Sequence, residues 1–280
     1  MLILGCKVNE QLYNGSRTLV YRAVQESNKK PVVIKLLKNS YPNFNELLQF
    51  RNQYTICKNL DISGIVRPYS LEAYGNSYAL VMEDFGGVSL HEYIKRENIT
   101  SLKDILLIAL QITDILQNLH QNRVIHKDIK PANILIHPEN KQVKLIDFSI
   151  ASLLPKETQE IKNPNGLEGT LSYISPEQTG RMNRGIDYRS DFYALGVTFY
   201  ELLTGELPFK SDDAMELVYC HIAKTPPAIK PHPNLLVGRE KPHPNPLLIK
   251  ERGQEVIKER EQDIPPVLSD IVMKLMAKNA

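Results

Sequence analysis

Lys35 closes the apolar run "VVIK", Asp147 follows the apolar run "VKLI", and "VIHKDIKPANILI" (Val124 to Ile136) sets His126, Lys127, Asp128, Lys130 and Asn133 between two apolar ends. A lysine inside an apolar strand is costly unless it meets a negative partner. Two carboxylates, Asp128 and Asp147, and one amide, Asn133, stand at strand or loop ends. Each has a plain structural use taken singly: a snorkelling lysine, a turn aspartate, an asparagine cap. Together, and in this order, they point to a catalytic loop carried on a rigid scaffold.

The elements that must position these residues can be read from periodicity. "TLVYRAV" and "PVVIKLL" are rich in β-branched and aromatic residues and read as strands, with "QESNKK" as the turn between them. "FNELLQFRNQYTICKNL" places Phe44, Leu47, Leu48, Tyr54 and Ile56 at mixed helical spacing, which predicts a helix. "VRPYSLEAYG" and "NSYALVMED" read as a hairpin turning at Gly75-Asn76. From about Ser89 the pattern becomes helical. "SLKDILLIALQITDILQNLH" opens with Ser101 as N-cap and Asp104 three residues on, a capping-box-like start, and carries the stripe Ile105, Ala109, Ile112, Leu116 and Leu119. "NILI" and "VKLIDF" are short strands. "RSDFYALGVTFYELLTG" is an apolar helix ending at Gly205, and "PPVLSDIVMKLMAK" is an amphipathic helix with proline near its start.

Composition bounds the class. The 280 residues suit one large domain or two lobes, and 42% hydrophobic with 24% charged residues is ordinary for a soluble globular protein. A formal charge of +2 gives no strong field toward nucleic acid or a membrane surface. Cys6, Cys57 and Cys220 are odd in number and far apart, which fits a reducing cytoplasm and neither a disulfide framework nor a zinc site. No apolar run approaches the roughly 20 residues of a membrane helix. The opening "MLILGC" lacks the basic and apolar regions of a leader and reads as a first strand. Residues from about 231 to 262 break the pattern. They carry the near-repeat "PHPNLL" and "PHPNPLL" and the charged "KERGQEVIKERE", and read as an inserted flexible surface loop. His221, His232 and His243 do not stand at metal-ligand spacing.

The polar residues carry a family resemblance over nearly the whole chain. His126, Asp128, Lys130, Pro131 and Asn133 match H-x-D-x-K-P-x-N, Asp147-Phe148-Ser149 matches the metal-binding tripeptide, and "GTLSYISPE" (Gly169 to Glu177) matches the close of an activation loop. The sequence resembles the eukaryotic-type serine/threonine protein kinases. More narrowly, it resembles the N-terminal module of bacterial, cyanobacterial-type hybrid sensor kinases.

The resemblance implies an α+β, bilobal kinase-like fold. An ATP-binding lobe, residues 8–84, has a small antiparallel sheet with one helix. A larger, mainly helical lobe, residues 85–280, carries catalysis and the substrate platform, apparently without its final helix. It implies transfer of the ATP γ-phosphate to protein Ser or Thr hydroxyls in signal transduction, with ATP and Mg²⁺ as cofactors, a protein substrate, and downstream sensor or histidine kinase modules as possible partners in a longer chain. Nucleic acid and membranes are not expected as partners.

The implied roles fall on numbered residues. Asp128 orients the acceptor hydroxyl, Lys130 stands near the transferred phosphate, and Thr170 supports both. Asn133 and Asp147 hold Mg²⁺. Lys35 grips the phosphates, Gly15, Val20 and Val33 line the nucleotide, and the backbone of Glu83 and Phe85 meets the adenine. A pseudokinase that regulates a partner is the alternative reading.

Five departures from the family pattern stand out, and the sparse glycine loop, Gln53 and the truncated end among them favour that alternative. "YNGSRTLV" keeps only Gly15 of three loop glycines, which limits close approach to a phosphate. Counting back from "NLDISGIV" sets Gln53, a neutral residue, where an acidic partner of Lys35 is expected. Lys127 replaces an arginine that would read a loop phosphate with a planar fork, so activity should depend weakly on phosphorylation at Thr158. Ser149 replaces a glycine and should disfavour states with Asp147 turned out. Glu177 lacks its usual arginine partner, which predicts an unpaired buried carboxylate and a fragment or interrupted chain.

Overall fold

The computed structural model describes residues 1–97, 101–154, 169–182, 184–230, 232 and 264–278. The inserted segment apart from His232, and Thr158, lie outside the described residues. The first strands are β1 (Leu2–Ile3), β2 (Cys6–Asn14), β3 (Thr18–Gln25) and β4 (Pro31–Leu37). Helix α1 (Phe44–Cys57) follows, then β5 (Pro68–Tyr74) and β6 (Ser77–Glu83). These strands form one antiparallel sheet in the order β1-β2-β3-β4-β6-β5. Alternation in "PVVIKLL" drives Val32, Ile34 and Leu36 to one buried face, where they pack with Ile3, Cys6, Ala23, Ala79 and Val81. Lys35 points to the other face and toward α1, which lies over β5 and β6.

The chain then runs through β7 (Val88–Ser89), α2 (Leu90–Glu97), α3 (Leu102–Gln121), β8 (Val124–Ile125), β9 (Ile134–Ile136), β10 (Val143–Leu145) and β11 (Ser152–Leu153). It continues through α4 (Arg189–Thr204), α5 (Ala214–Ala223) and α6 (Pro266–Leu275). β10, β9 and β7 form a small sheet, and β11 pairs with β8. Around them one large apolar cluster gathers the expected stripe of α3 (Ile105, Ile112, Leu116 and Leu119) with the core faces of α4 and α6. Gly196 lets α4 and α6 approach, since a Cβ there would meet Leu275 and Met276. The Leu145 NH donates to Gly64 O at 2.8 Å, and the Val66 NH to Leu145 O at 3.1 Å, which ties the helical half to the sheet half. The α+β, bilobal expectation holds.

Some local expectations need correction. Helix α1 ends at Cys57, not Leu60, and its buried face is Phe50, Gln53, Ile56 and Cys57, with Phe44 and Leu48 exposed. Its N-cap is a true capping box: Asn43 accepts from the Glu46 NH at 3.0 Å, and Glu46 accepts from the Asn43 NH at 2.9 Å. The box expected at Ser101 is absent, because its side chain makes no cap bond and its carbonyl takes the Asp104 NH. β2 runs well past the expected "MLILGC" strand; it is mostly exposed, so burial gave it no alternating pattern.

Candidate active site

The expected catalytic loop is built from the strand ends outward. Val124 and Ile125 are buried in β8, and Ile134 and Ile136 in β9. Between them the chain is held from beneath by Asp191 on α4, whose carboxylate is fully buried. Its Oδ2 accepts from the His126 NH at 2.9 Å and stands 2.9 Å from His120 Nε2, and its Oδ1 accepts from the Lys127 NH at 2.7 Å. Lys127 takes φ +68°, and the fixed amides hold this left-handed turn. Its carbonyl accepts from Gln178 Nε2 at 2.8 Å. The His126 ring accepts from the Asp128 NH through Nδ1 at 3.3 Å, so its Nε2–H donates to Ile146 O at 3.0 Å. The same ring meets Phe148 edge-on at 4.6 Å.

Asp128 is saturated with donors. Lys130 Nζ lies 2.6 Å from its Oδ2, and Asn133 Nδ2 donates to Oδ2 at 2.7 Å and to the Asp128 carbonyl at 2.9 Å. The Thr170 NH and hydroxyl donate to Oδ1 at 3.1 and 3.0 Å, and Lys130 also donates to Thr170 Oγ1. The four residues Asp128, Lys130, Asn133 and Thr170 therefore form one network. Because Asp128 only accepts, the Asn133 amide must turn its nitrogen inward, which leaves Oδ1 as its outward-facing acceptor.

Lys35 is the second centre. Its Nζ donates to Gln53 Oε1 and to Asp147 Oδ1, both at 2.9 Å. Gln53 is 5% exposed and passes its other end to Met82 Sδ at 3.6 Å. Burial raises the Asp147 pKa, but the Lys35 ammonium, hydrogen bonds from Lys35 and Ser149, and His126 outweigh it and hold the carboxyl down at about 2. Asp147 takes φ +64° and is turned toward Lys35.

The remaining expected residues fall along the sheet and its exit. Gly15 lies in the turn between β2 and β3, where its NH donates to Thr18 O at 3.0 Å and the Tyr13 ring lies against it. Val20 stands opposite Lys35 in the β3–β4 ladder, and Val33 stands opposite Met82 in the β4–β6 ladder. Glu83 ends β6; its side chain accepts from Lys144 Nζ at 2.6 Å and from the Arg67 NH at 3.2 Å. Asp84 accepts from Arg22 Nε at 2.9 Å and from the Gly86 NH at 3.0 Å. No described residue accepts the Phe85 NH, and its ring packs on His137 and beneath Lys144. Glu177 is half-buried and accepts from Ser190 Oγ at 2.5 Å, so the expectation of an unpaired buried carboxylate is corrected: a neutral hydroxyl partners it.

A family model for the protein kinase domain matches residues 6–278. The chain belongs to the protein kinase family. This kinase domain is 38% identical over 226 residues to the serine/threonine-protein kinase PrkC of Bacillus subtilis, covering 79% of the chain and 34% of that protein. It is 29% identical to a probable serine/threonine-protein kinase of Clostridium perfringens over 95% of the chain and 34% of that protein. It is 33% identical to the serine/threonine-protein kinase PknB of Mycobacterium tuberculosis over 79% of the chain and 36% of that protein. The kinase domain thus spans about a third of the length of these curated relatives. Among the described residues no helix is long and apolar enough to cross a membrane, and no cluster of three His, Cys, Asp or Glu could hold a metal ion.

Sequence reasoning passed over Asp191, Asn52, Arg22 and Lys144. Asp191 and Lys144 were legible in principle as charges inside apolar runs, "RSDFYALG" and "VKLI". Asn52 left no such signal.

Proposed function

We propose that this chain is an active protein serine/threonine kinase that transfers the γ-phosphate of ATP to protein Ser and Thr hydroxyls in signalling. The observation that carries the reading is the Asp128 network. Its carboxylate is held by Lys130, Asn133 and Thr170, and when Lys130 turns to the transferred group Oδ2 is freed to accept a substrate hydroxyl proton. Lys130 stands beside it as a cation for the transferred group. Lys35 grips the phosphates, and Gly15, Val20 and Val33 line the nucleotide. The Glu83 carbonyl and the Phe85 NH meet the adenine edge.

The donor set fits Mg²⁺. That ion prefers hard oxygens and is usually held by one or two carboxylates together with substrate phosphates. Asp147, ionised at neutral pH, and Asn133 Oδ1 are such donors. When bound, Mg²⁺ supplies neutralisation of phosphate charge. The protein itself does positioning and electrostatics, with little covalent work. An N-terminal lobe over residues 8–84, a catalytic lobe over 85–280 and a cytoplasmic setting belong to the same reading. Downstream sensor modules rest on the resemblance alone.

The test is transfer of radiolabelled γ-phosphate from Mg·ATP to a generic Ser/Thr substrate and to the protein itself. The expected result is transfer in the wild type and a loss of about 10²–10⁴-fold in Asp128→Asn, the range for a positioned proton acceptor. Nucleotide binding without transfer would overturn the reading in favour of a pseudokinase.

A further inference from the structure

Helix α1 reaches the segment after Asp147 through a side chain outside the expected site. Asn52 Nδ2 points at three carbonyls of that segment: Ala151 O at 2.8 Å, Ser149 O at 3.1 Å and Phe148 O at 3.5 Å. An amide nitrogen carries two hydrogens, so the two short contacts are its bonds and the third is marginal. The next residue, Gln53, holds Lys35, and Lys35 holds Asp147. Asn52, Gln53, Lys35 and Asp147 therefore close a ring in which α1 meets the Asp147 loop twice, once through Lys35 and once through the backbone.

The two attachments are not equivalent. The Lys35 attachment is an ion pair with the carboxylate that, on the proposed function, has to turn to the metal while Lys35 turns to phosphate. Gln53 carries no charge to retain the lysine. The Asn52 attachment uses only backbone carbonyls, so it persists when Lys35 and Asp147 part. The loop has a need for it: Asp147 sits at φ +64°, a conformation that a non-glycine residue keeps only when its surroundings hold it. Ser149, third in the tripeptide, is itself one of the carbonyls held.

We infer that Asn52 is a positioning residue for the metal-binding loop, holding Asp147 in place once Lys35 has moved to the nucleotide. The inference rests on the kinase reading. It touches no reacting atom and acts through Asp147.

The experiment is titration calorimetry of ADP on the full chain with Mg²⁺ and in excess EDTA, for wild type, Asn52→Ala, Asn52→Asp and the neighbouring Arg51→Ala. Asn52→Asp keeps the shape and removes the donor, so it serves if the alanine protein fails to fold. The expected result is that Mg²⁺ tightens ADP binding in wild type and Arg51→Ala. In the Asn52 variants that tightening falls about tenfold, while binding in EDTA is unchanged, in line with the loss of one to two hydrogen bonds. Equal Mg²⁺ tightening in the Asn52 variants and wild type overturns the inference and leaves the kinase reading intact. Wild type whose ADP binding ignores Mg²⁺ overturns both.

Discussion

Lys35 Nζ stands 2.9 Å from Gln53 Oε1 and 2.9 Å from Asp147 Oδ1, so the buried lysine has one neutral partner and one charged one. Among the described residues its ion pair runs to the loop rather than to α1. In Gln53→Glu a second carboxylate competes for the same ammonium, and charge-assisted bonds are about twice as strong as neutral ones. The lysine shifts toward α1 and, on the proposed function, Asp147 is released toward the metal. The expected outcome is a rise of about threefold to tenfold in kcat/KM for ATP, measured by steady-state transfer; a fall would mean that the neutral amide is itself required.

Acid should act on the same pair. The Lys35 ammonium and the hydrogen bonds around it outweigh burial and hold the folded Asp147 carboxyl at about 2, below the ordinary carboxylate range. The unfolded chain therefore binds the proton first. The stabilisation from this carboxylate is fully present above about pH 4 and is lost as pH falls toward 2. Chemical denaturation of wild type and Asp147→Asn across this window should show the wild type losing more stability. Parallel curves would sink the expectation.

Tyr13 occupies the place of a loop glycine, and its half-exposed ring lies against Gly15, so that a Cβ at Gly15 would meet it. Tyr13→Gly removes the ring and opens the turn to a phosphate. The Michaelis constant for ATP should fall several-fold while thermal stability changes little, because the side chain is not in the core.

Asp191 should be the most costly polar position to truncate. In Asp191→Ala the buried His126 and Lys127 amides lose their acceptor together with His120. Breaking a buried charged network in this way costs about 3–5 kcal/mol. Urea denaturation measures it, and a loss below about 1 kcal/mol would show that the loop finds other acceptors.

Much of this site could be read from residue types alone. Lys35, Asp128, Asn133 and Asp147 are legible because charge or amide inside apolar runs has few explanations, and Gln53 could be counted to from "NLDISGIV". Asn52 could not, because an asparagine in a half-exposed helical position looks like any solvated residue until the carbonyls it meets, about a hundred positions later, are in view. The fold shows the same division. β4 and α3 announce themselves by buried alternation and stripe, whereas β2 is held by ladder bonds with few buried side chains and has no pattern to read. Glu177 reads as orphaned when only arginines count as partners, whereas the hydroxyl of Ser190 thirteen residues away serves instead.

The exit from β6 has a consequence for how binding strength is distributed along a nucleotide. Glu83 is pinned by Lys144 at 2.6 Å and Asp84 by Arg22 at 2.9 Å, in the segment that the proposed function sets against adenine. A base meeting this edge orders almost nothing new, whereas a phosphate chain meeting the Tyr13-covered turn must displace a ring. On the proposed function, affinity is weighted toward the adenine end, so removing phosphates should weaken a ligand less than trimming the base.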